Sequence, residues 1–243
     1  MIFDTLTADY RAAQLHRVRH TLGRVLAADM APAPGRVVPA DDDLVIGAGR
    51  VLQLAVLFID VSGFSARPSW TRDEQHRVLQ VLNVFFTEMV RVAVDYGGTV
   101  EKNTGDGLMA YFEAAGGVSA VQRAVGAAMT MMATNTSVLG PLLAGAGLDP
   151  VPFRAGIDYG PVTVARVGVA RAYNANVAIG TTANVAGKML ARAAAGEILL
   201  GELAAVALPD AWRPHAQLHG PSGFTYIATG DPYPLYRFEG RWR

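Results

Sequence analysis

Residues 51–65 read VLQLAVLFIDVSGFS, and apart from Gln53 nothing polar interrupts the run from Val51 to Ile59. A continuous apolar stretch of this length, rich in branched and aromatic side chains, predicts a strand buried on both faces. It is too short to cross a bilayer as a helix, which takes about 20 apolar residues. Asp60 ends the run, and Ser62-Gly63 opens a turn directly after it. An acidic side chain therefore stands where a buried strand meets a loop.

Reading outward, Thr71 to Tyr96 carries Val78, Leu79, Leu82, Phe85, Phe86, Met89 and Val92 at helical spacing, and Asp95-Tyr-Gly-Gly supplies a glycine stop. Residues 99–102 and 108–112 flank Thr104-Gly-Asp-Gly, which predicts a hairpin with Asp106 at its tip. A second helix is expected over 117–134. Two strands, 153–157 and 162–169, are expected around an Asp158-Tyr-Gly-Pro turn, then a third helix over 182–194 and a short strand over 197–200. Paired strands between helices predict an α+β fold, with helices packed on a mainly antiparallel sheet. On the N-terminal side, Tyr10, Leu15, Val18, Leu22 and Val25 predict one amphipathic helix or two short ones. Residues 31–40, APAPGRVVPA, then read as a linker, and the main domain is expected to begin near Asp43.

Composition narrows the classes of function. Of 243 residues, 51% are hydrophobic, enough for a sizeable core. Basic and acidic side chains number 21 each, so there is no electrostatic footprint for nucleic acid and no basic run for a membrane surface. The absence of cysteine excludes disulfides and thiolate catalysis. The opening MIFDTLTADY lacks the basic-then-apolar pattern of a signal peptide, so a cytoplasmic location without membrane insertion is expected.

Two carboxylates at the ends of neighbouring strands, Asp60 and Asp106, can converge on one hard cation. Magnesium and manganese prefer such oxygen ligands, and paired metals suit in-line displacement at phosphorus. The backbone amides of Ser62, Gly63, Phe64 and Ser65 are expected to face a phosphate, with Gly63 permitting close approach. Taken singly, each aspartate also fits a helix cap or a turn. The five histidines, at 16, 20, 76, 215 and 219, sit in no ligand spacing with carboxylates.

Four segments in order, FIDVSGFS (58–65), GGTVEKNTGDGLMAYF (97–112), FRAGIDYGPV (153–162) and AIGTTANVAGKM (178–189), resemble the class III adenylate/guanylate cyclase catalytic domain over about residues 54–200. That resemblance implies a ferredoxin-like domain, 46–243, behind an N-terminal extension, 1–45. It implies a head-to-tail homodimer with active sites at the interface and two divalent cations, Mn²⁺ or Mg²⁺, in each. By position, Asp60 and Asp106 match the metal aspartates, and Val61 would lend its carbonyl. Phe58 and residues 62–65 would line the substrate. Lys102 falls where adenylate cyclases place a base-reading lysine, and Asn184 matches the asparagine that orients the ribose. Lys188 stands where the family usually has a transition-state arginine.

Three departures bear on substrate. Lysine at 188 keeps the charge but loses the planar fork of arginine. Val177 falls where adenylate cyclases carry a base acceptor, and valine accepts nothing. The C-terminal tail lacks the family's phosphate-binding lysine motif. Together with the block at 96–112, these features resemble the pyrimidine cyclases of the bacterial Pycsar antiphage system. That likeness implies conversion of UTP to cyclic UMP and pyrophosphate, a second messenger that reaches a separate effector without direct contact. A bacterial adenylate cyclase and a degenerate nucleotide-binding dimer are the alternatives.

Overall fold

The strand expected from residues 51–60 is β1 (Gly49–Val61), the axis of the sheet. It pairs antiparallel with β3 (Gly107–Phe112) on one side and β4 (Phe153–Val169) on the other. Ala55, Leu57, Ile59 and Val61 enter the main core, while Leu54 and Val56 enter a second apolar cluster on the opposite face. Burial on both sides is the reason for an unbroken apolar run in place of alternation.

The structure, a computed structural model, describes residues 6–27, 49–67, 69–103, 105–169, 173–220 and 222–242. The expected linker at 31–40 and the boundary near Asp43 lie outside these residues, as do the side chains of Ser65, Lys102 and Val177. The remaining strands are β2 (Gly98–Asn103), β5 (Tyr173–Ile179), β6 (Ile198–Gly201), β7 (Ala216–Gly220) and β8 (Leu235–Phe238). Their order is β2–β3–β1–β4–β6–β8–β7, with β5 paired to β4. Every pairing is antiparallel except β4 with β6, which gives the mainly antiparallel α+β sheet that the sequence predicts.

One face is covered by α2 (Arg72–Asp95) and α3 (Ala120–Thr134), the other by α5 (Thr181–Met189). A capping box starts α2: Thr71 Oγ1 accepts from the Glu74 N–H at 3.2 Å, and the Glu74 carboxylate accepts from the Thr71 N–H at 2.8 Å. The helix stops where expected, with Gly97 at φ 74°.

On the N-terminal side, α1 (Ala8–Ala27) is one helix, with Val18, Leu22 and Val25 in the main core. Arg17 pairs with Glu88 at 3.0 Å, and the Tyr10 hydroxyl donates to Asp95 at 2.9 Å. Burial pushes the Glu88 carboxyl above its ordinary range. The Gln14 amide donates to Thr134 Oγ1 at 2.7 Å, and from the far side of the chain the Trp242 indole donates to Thr130 Oγ1 at 2.8 Å.

The expected turn at 158–161 is instead the middle of one continuous 17-residue strand. Asp158 is buried and engaged by Tyr233, and a side chain at Gly160 would collide with Thr182, so tertiary contacts override the turn-forming residue types. The helix expected over 182–194 ends at Met189 and continues only as a 3-10 turn over Leu190–Arg192. A π-turn (Asn135–Leu139), α4 (Gly140–Gly145), β5, α6 (Glu202–Val206), β7 and β8 were not read from the sequence.

Candidate active site

Asp60 is the next-to-last residue of β1, opposite Gly107 in β3 and Arg154 in β4. The N–H of Val61 donates to the carbonyl of Asp106 at 2.8 Å. This bond stitches the hairpin tip to the end of β1 and brings both aspartates to one end of the sheet. The Arg154 guanidinium grips Asp60 from β4: Nε and Nη2 both donate to Oδ2, at 3.0 and 2.7 Å. Arg154 Nη1 also donates to the Ala193 carbonyl at 3.4 Å. The two side chains keep 30% and 22% of their surface exposed, so the pair remains reachable from solvent. Arg154 was missed in the sequence. Its neighbours Phe153 and Ala155 are core residues, and only the strand register shows that it faces Asp60.

The donors at this end are all oxygens: the carboxylates of Asp60 and Asp106 and the nearby backbone of Val61. Ser62 adds a buried Oγ with no hydrogen-bond partner. Among the described residues no group of three or more His, Cys, Asp or Glu could hold a metal. A cation here would depend on two carboxylates plus backbone, water or phosphate oxygens, which fits hard magnesium or manganese. One expectation is corrected. The Ser62 N–H donates to the Pro152 carbonyl at 2.8 Å, so it does not face a phosphate. Beyond it, Gly63 is left-handed at φ 70° and opens a 3-10 turn over Phe64–Ala66, with the Phe64 ring against the core.

Strand alternation places Phe58 on the same face as Asp60. There it floors an open groove of about 640 Å³ that is also lined by Met109, Ala178, Gly180, Asn184 and Lys188. A glycine on β4 lets α5 lie this close: a Cβ at Gly156 would sit 2.5 Å from the Ala186 carbonyl and 2.6 Å from Met189 Cγ. Asn184 and Lys188 are exposed one turn apart. Asp60 and Asp106 do not line this groove. One chain therefore carries the expected residues in two places on one face, a carboxylate end and an amide–ammonium groove.

Lys102 follows a break in register between β2 and β3, and Val177 of β5 lies opposite Ala165 of β4, directly before the groove residue Ala178. Four residues beyond Arg154 on β4, Asp158 is 3% exposed and accepts from the Tyr233 hydroxyl at 2.7 Å and the Tyr159 N–H at 2.9 Å. Burial pushes its carboxyl up to about 6, against the two hydrogen bonds.

The family model for the adenylate and guanylate cyclase catalytic domain matches residues 47–219. The chain belongs to this family. No curated protein sequence matches it. Among solved structures the cyclase domain is similar to the adenylyl cyclase CyaB from P. aeruginosa, with 25% identity and a TM-score of 0.66 over 81% of this chain and 98% of that one. It is also similar to the guanylyl cyclase Cya2, with 23% identity and a TM-score of 0.66 over 79% and 94%. A third likeness is to a non-canonical dimeric guanylyl cyclase domain of the RhoGC fusion protein from the aquatic fungus Blastocladiella emersonii, with 20% identity and a TM-score of 0.58 over 79% and 99%. Membership makes the chain a nucleotidyl cyclase catalytic domain, of a family that forms cyclic nucleotides with divalent metal ions. Among the described residues no helix is long and apolar enough to cross a membrane.

Proposed function

We propose that this cyclase converts UTP to 3′,5′-cyclic UMP and pyrophosphate, as the signal of an antiphage response read by a separate effector. The observation that carries the cyclisation chemistry is the joining of Asp60 and Asp106 at one strand end by the Val61–Asp106 hydrogen bond. In the reaction the 3′-oxygen bonds to the α-phosphorus, its proton leaves, and the bond to the pyrophosphate oxygen breaks. Divalent cations held by Asp60, Asp106 and the Val61 carbonyl would acidify the 3′-hydroxyl and bind the polyphosphate. A cation that claims the Asp60 carboxylate competes with Arg154, leaving a guanidinium beside the site for a phosphate oxygen.

Asn184 and Lys188 supply what the carboxylate end lacks, an amide to orient the ribose and a cation for charge building at phosphorus. Because Asp60 and Asp106 do not line the groove that holds Asn184 and Lys188, the reading pairs the carboxylate end of one protomer with the groove of its partner in a head-to-tail homodimer. Lys102 donates and accepts nothing, which suits the carbonyl oxygens of uracil. Val177 would leave the amino group of adenine unpaired, a cost of about 1–3 kcal/mol. The adenylyl cyclase likeness at 25% identity keeps ATP as the second candidate.

The test is incubation of the purified protein with all four nucleoside triphosphates and manganese, with products resolved by mass spectrometry. UTP is expected to give the highest kcat/KM and CTP the next. A kcat/KM for ATP equal to that for UTP would return the chain to the adenylate cyclases, and no cyclic product from any nucleotide would sink the catalytic reading.

A further inference from the structure

We propose that Glu101 is a positioning residue for nucleobase selection, acting through the backbone of β5; the selection itself rests on the cyclase reading above. β2 and β3 pair in register from Gly98 to Val100 and again from Lys102, and the slip falls at Glu101. An extra residue in one strand bends it and re-aims a side chain. Here the Glu101 carboxylate leaves the β2–β3 ladder and accepts from the backbone N–H of Ala178, 77 positions away, at 2.7 Å.

β5 needs such an acceptor. It is paired along one side by β4, and among the described residues no strand pairs with its other side. An edge N–H without a partner costs stability, and a carboxylate is a stronger acceptor than a neutral oxygen. The location gives the bond its consequence. Ala178 and Ile179 line the groove with Asn184, and Val177 directly precedes them. Lys102 directly follows Glu101. One hydrogen bond between residues 101 and 178 therefore fixes the spacing between the two positions, 102 and 177, that the reading assigns to the base. Glu101 touches no reacting atom in this scheme; it holds two strands at a set distance.

The experiment compares the full chain with Glu101→Ala, which removes the acceptor, and Glu101→Gln, which keeps a side-chain oxygen at the same reach. Glu101→Asp, shorter by one methylene, replaces the alanine variant if that one does not fold. Hydrogen–deuterium exchange over residues 173–180 of the unliganded protein is expected to rise about tenfold in the alanine variant and to stay within about twofold of wild type in the glutamine variant. Calorimetric binding of 3′-deoxy-UTP and 3′-deoxy-ATP, which lack the attacking hydroxyl, reads base preference without turnover. The affinity ratio is expected to move at least about fivefold in the alanine variant and to be restored by glutamine. An unchanged ratio or unchanged exchange in a folded alanine variant would overturn the proposal, and so would glutamine failing as alanine does. A wild type that binds both analogues but forms no cyclic nucleotide would defeat the cyclase reading while leaving the Glu101 result decided by exchange and binding.

Discussion

Asp60 at the end of β1 and Asp158 in the middle of β4 present carboxyls on the same face of one sheet, in surroundings of opposite kind. Asp60 is partly exposed and forked by the Arg154 guanidinium. Asp158 has a phenol and an amide as partners, no cation among them, and 3% of its surface exposed. Even its wall is fitted: Gly201 stands where any Cβ would collide with its oxygen. Residue type therefore decides little about what an aspartate does. A cationic partner and a path to solvent leave Asp60 reachable, and on the reading proposed above it would exchange arginine for a metal. A neutral partner and a sealed wall make Asp158 a bracket between β4 and the segment carrying Tyr233.

The sharpest way to break this comparison is to remove each carboxylate. Asp60→Ala and Asp106→Ala are expected to cut kcat by at least about 100-fold while the protein stays folded. Asp158→Ala should instead lower the melting temperature and leave kcat per folded molecule within about threefold. If either of the first two variants kept more than about a tenth of the wild-type rate, a loss under roughly 1.4 kcal/mol, the metal assignment would be wrong.

The next test asks whether the carboxylate end and the groove belong to different protomers at work. Mixing Asp60→Ala with Asn184→Ala subunits should restore up to about a quarter of wild-type activity, since random pairing makes half the dimers mixed and each mixed dimer holds one intact site. Mixed dimers shown to form without regaining activity would place the whole site on one chain.

The remaining test concerns protonation and leaves the rate untouched. The folded pKa of Asp158 is raised from 3.8 to about 6, so its contribution to stability is present in full below pH 3.8 and is lost as pH rises through about 6. The loss is on the order of 3 kcal/mol by pH 7. Asp158→Asn cannot titrate and should flatten the decline of melting temperature between about pH 4 and 6.5, leaving the slope that buried Glu88 contributes in the same direction. A slope unchanged in the asparagine variant would assign the titration elsewhere.

Much of this was legible in the sequence because burial writes itself into residue order. The run at 51–60 announced a strand covered on both faces, and the apolar spacing from Thr71 with the glycine stop after Tyr96 bracketed α2. Asn184 and Lys188 could be placed on one helical face by spacing alone. What failed to show depends on pairs distant in the chain. Asp158-Tyr-Gly-Pro has the composition of a turn, and only Tyr233 and Thr182, far along the chain, explain why it runs straight. Arg154 becomes a partner of Asp60 through register, and Glu101 becomes a tether through a bulge, neither of which periodicity can reveal. The Ser62 amide looked available because its acceptor, the Pro152 carbonyl, comes from another loop.

Gln14 of α1 and Trp242 beyond β8 fasten to Thr134 and Thr130, two hydroxyls one turn apart on α3. α1 and the residues after β8 thus share α3 as a common support, beside the pairs that α1 makes with α2 through Arg17–Glu88 and Tyr10–Asp95. Tension applied to either end converges on the same buried rod, whose other side lies against β1 and its neighbours in the main core. A tether or fusion on either flank therefore loads α3, a helix packed on the core face of the sheet that carries Asp60.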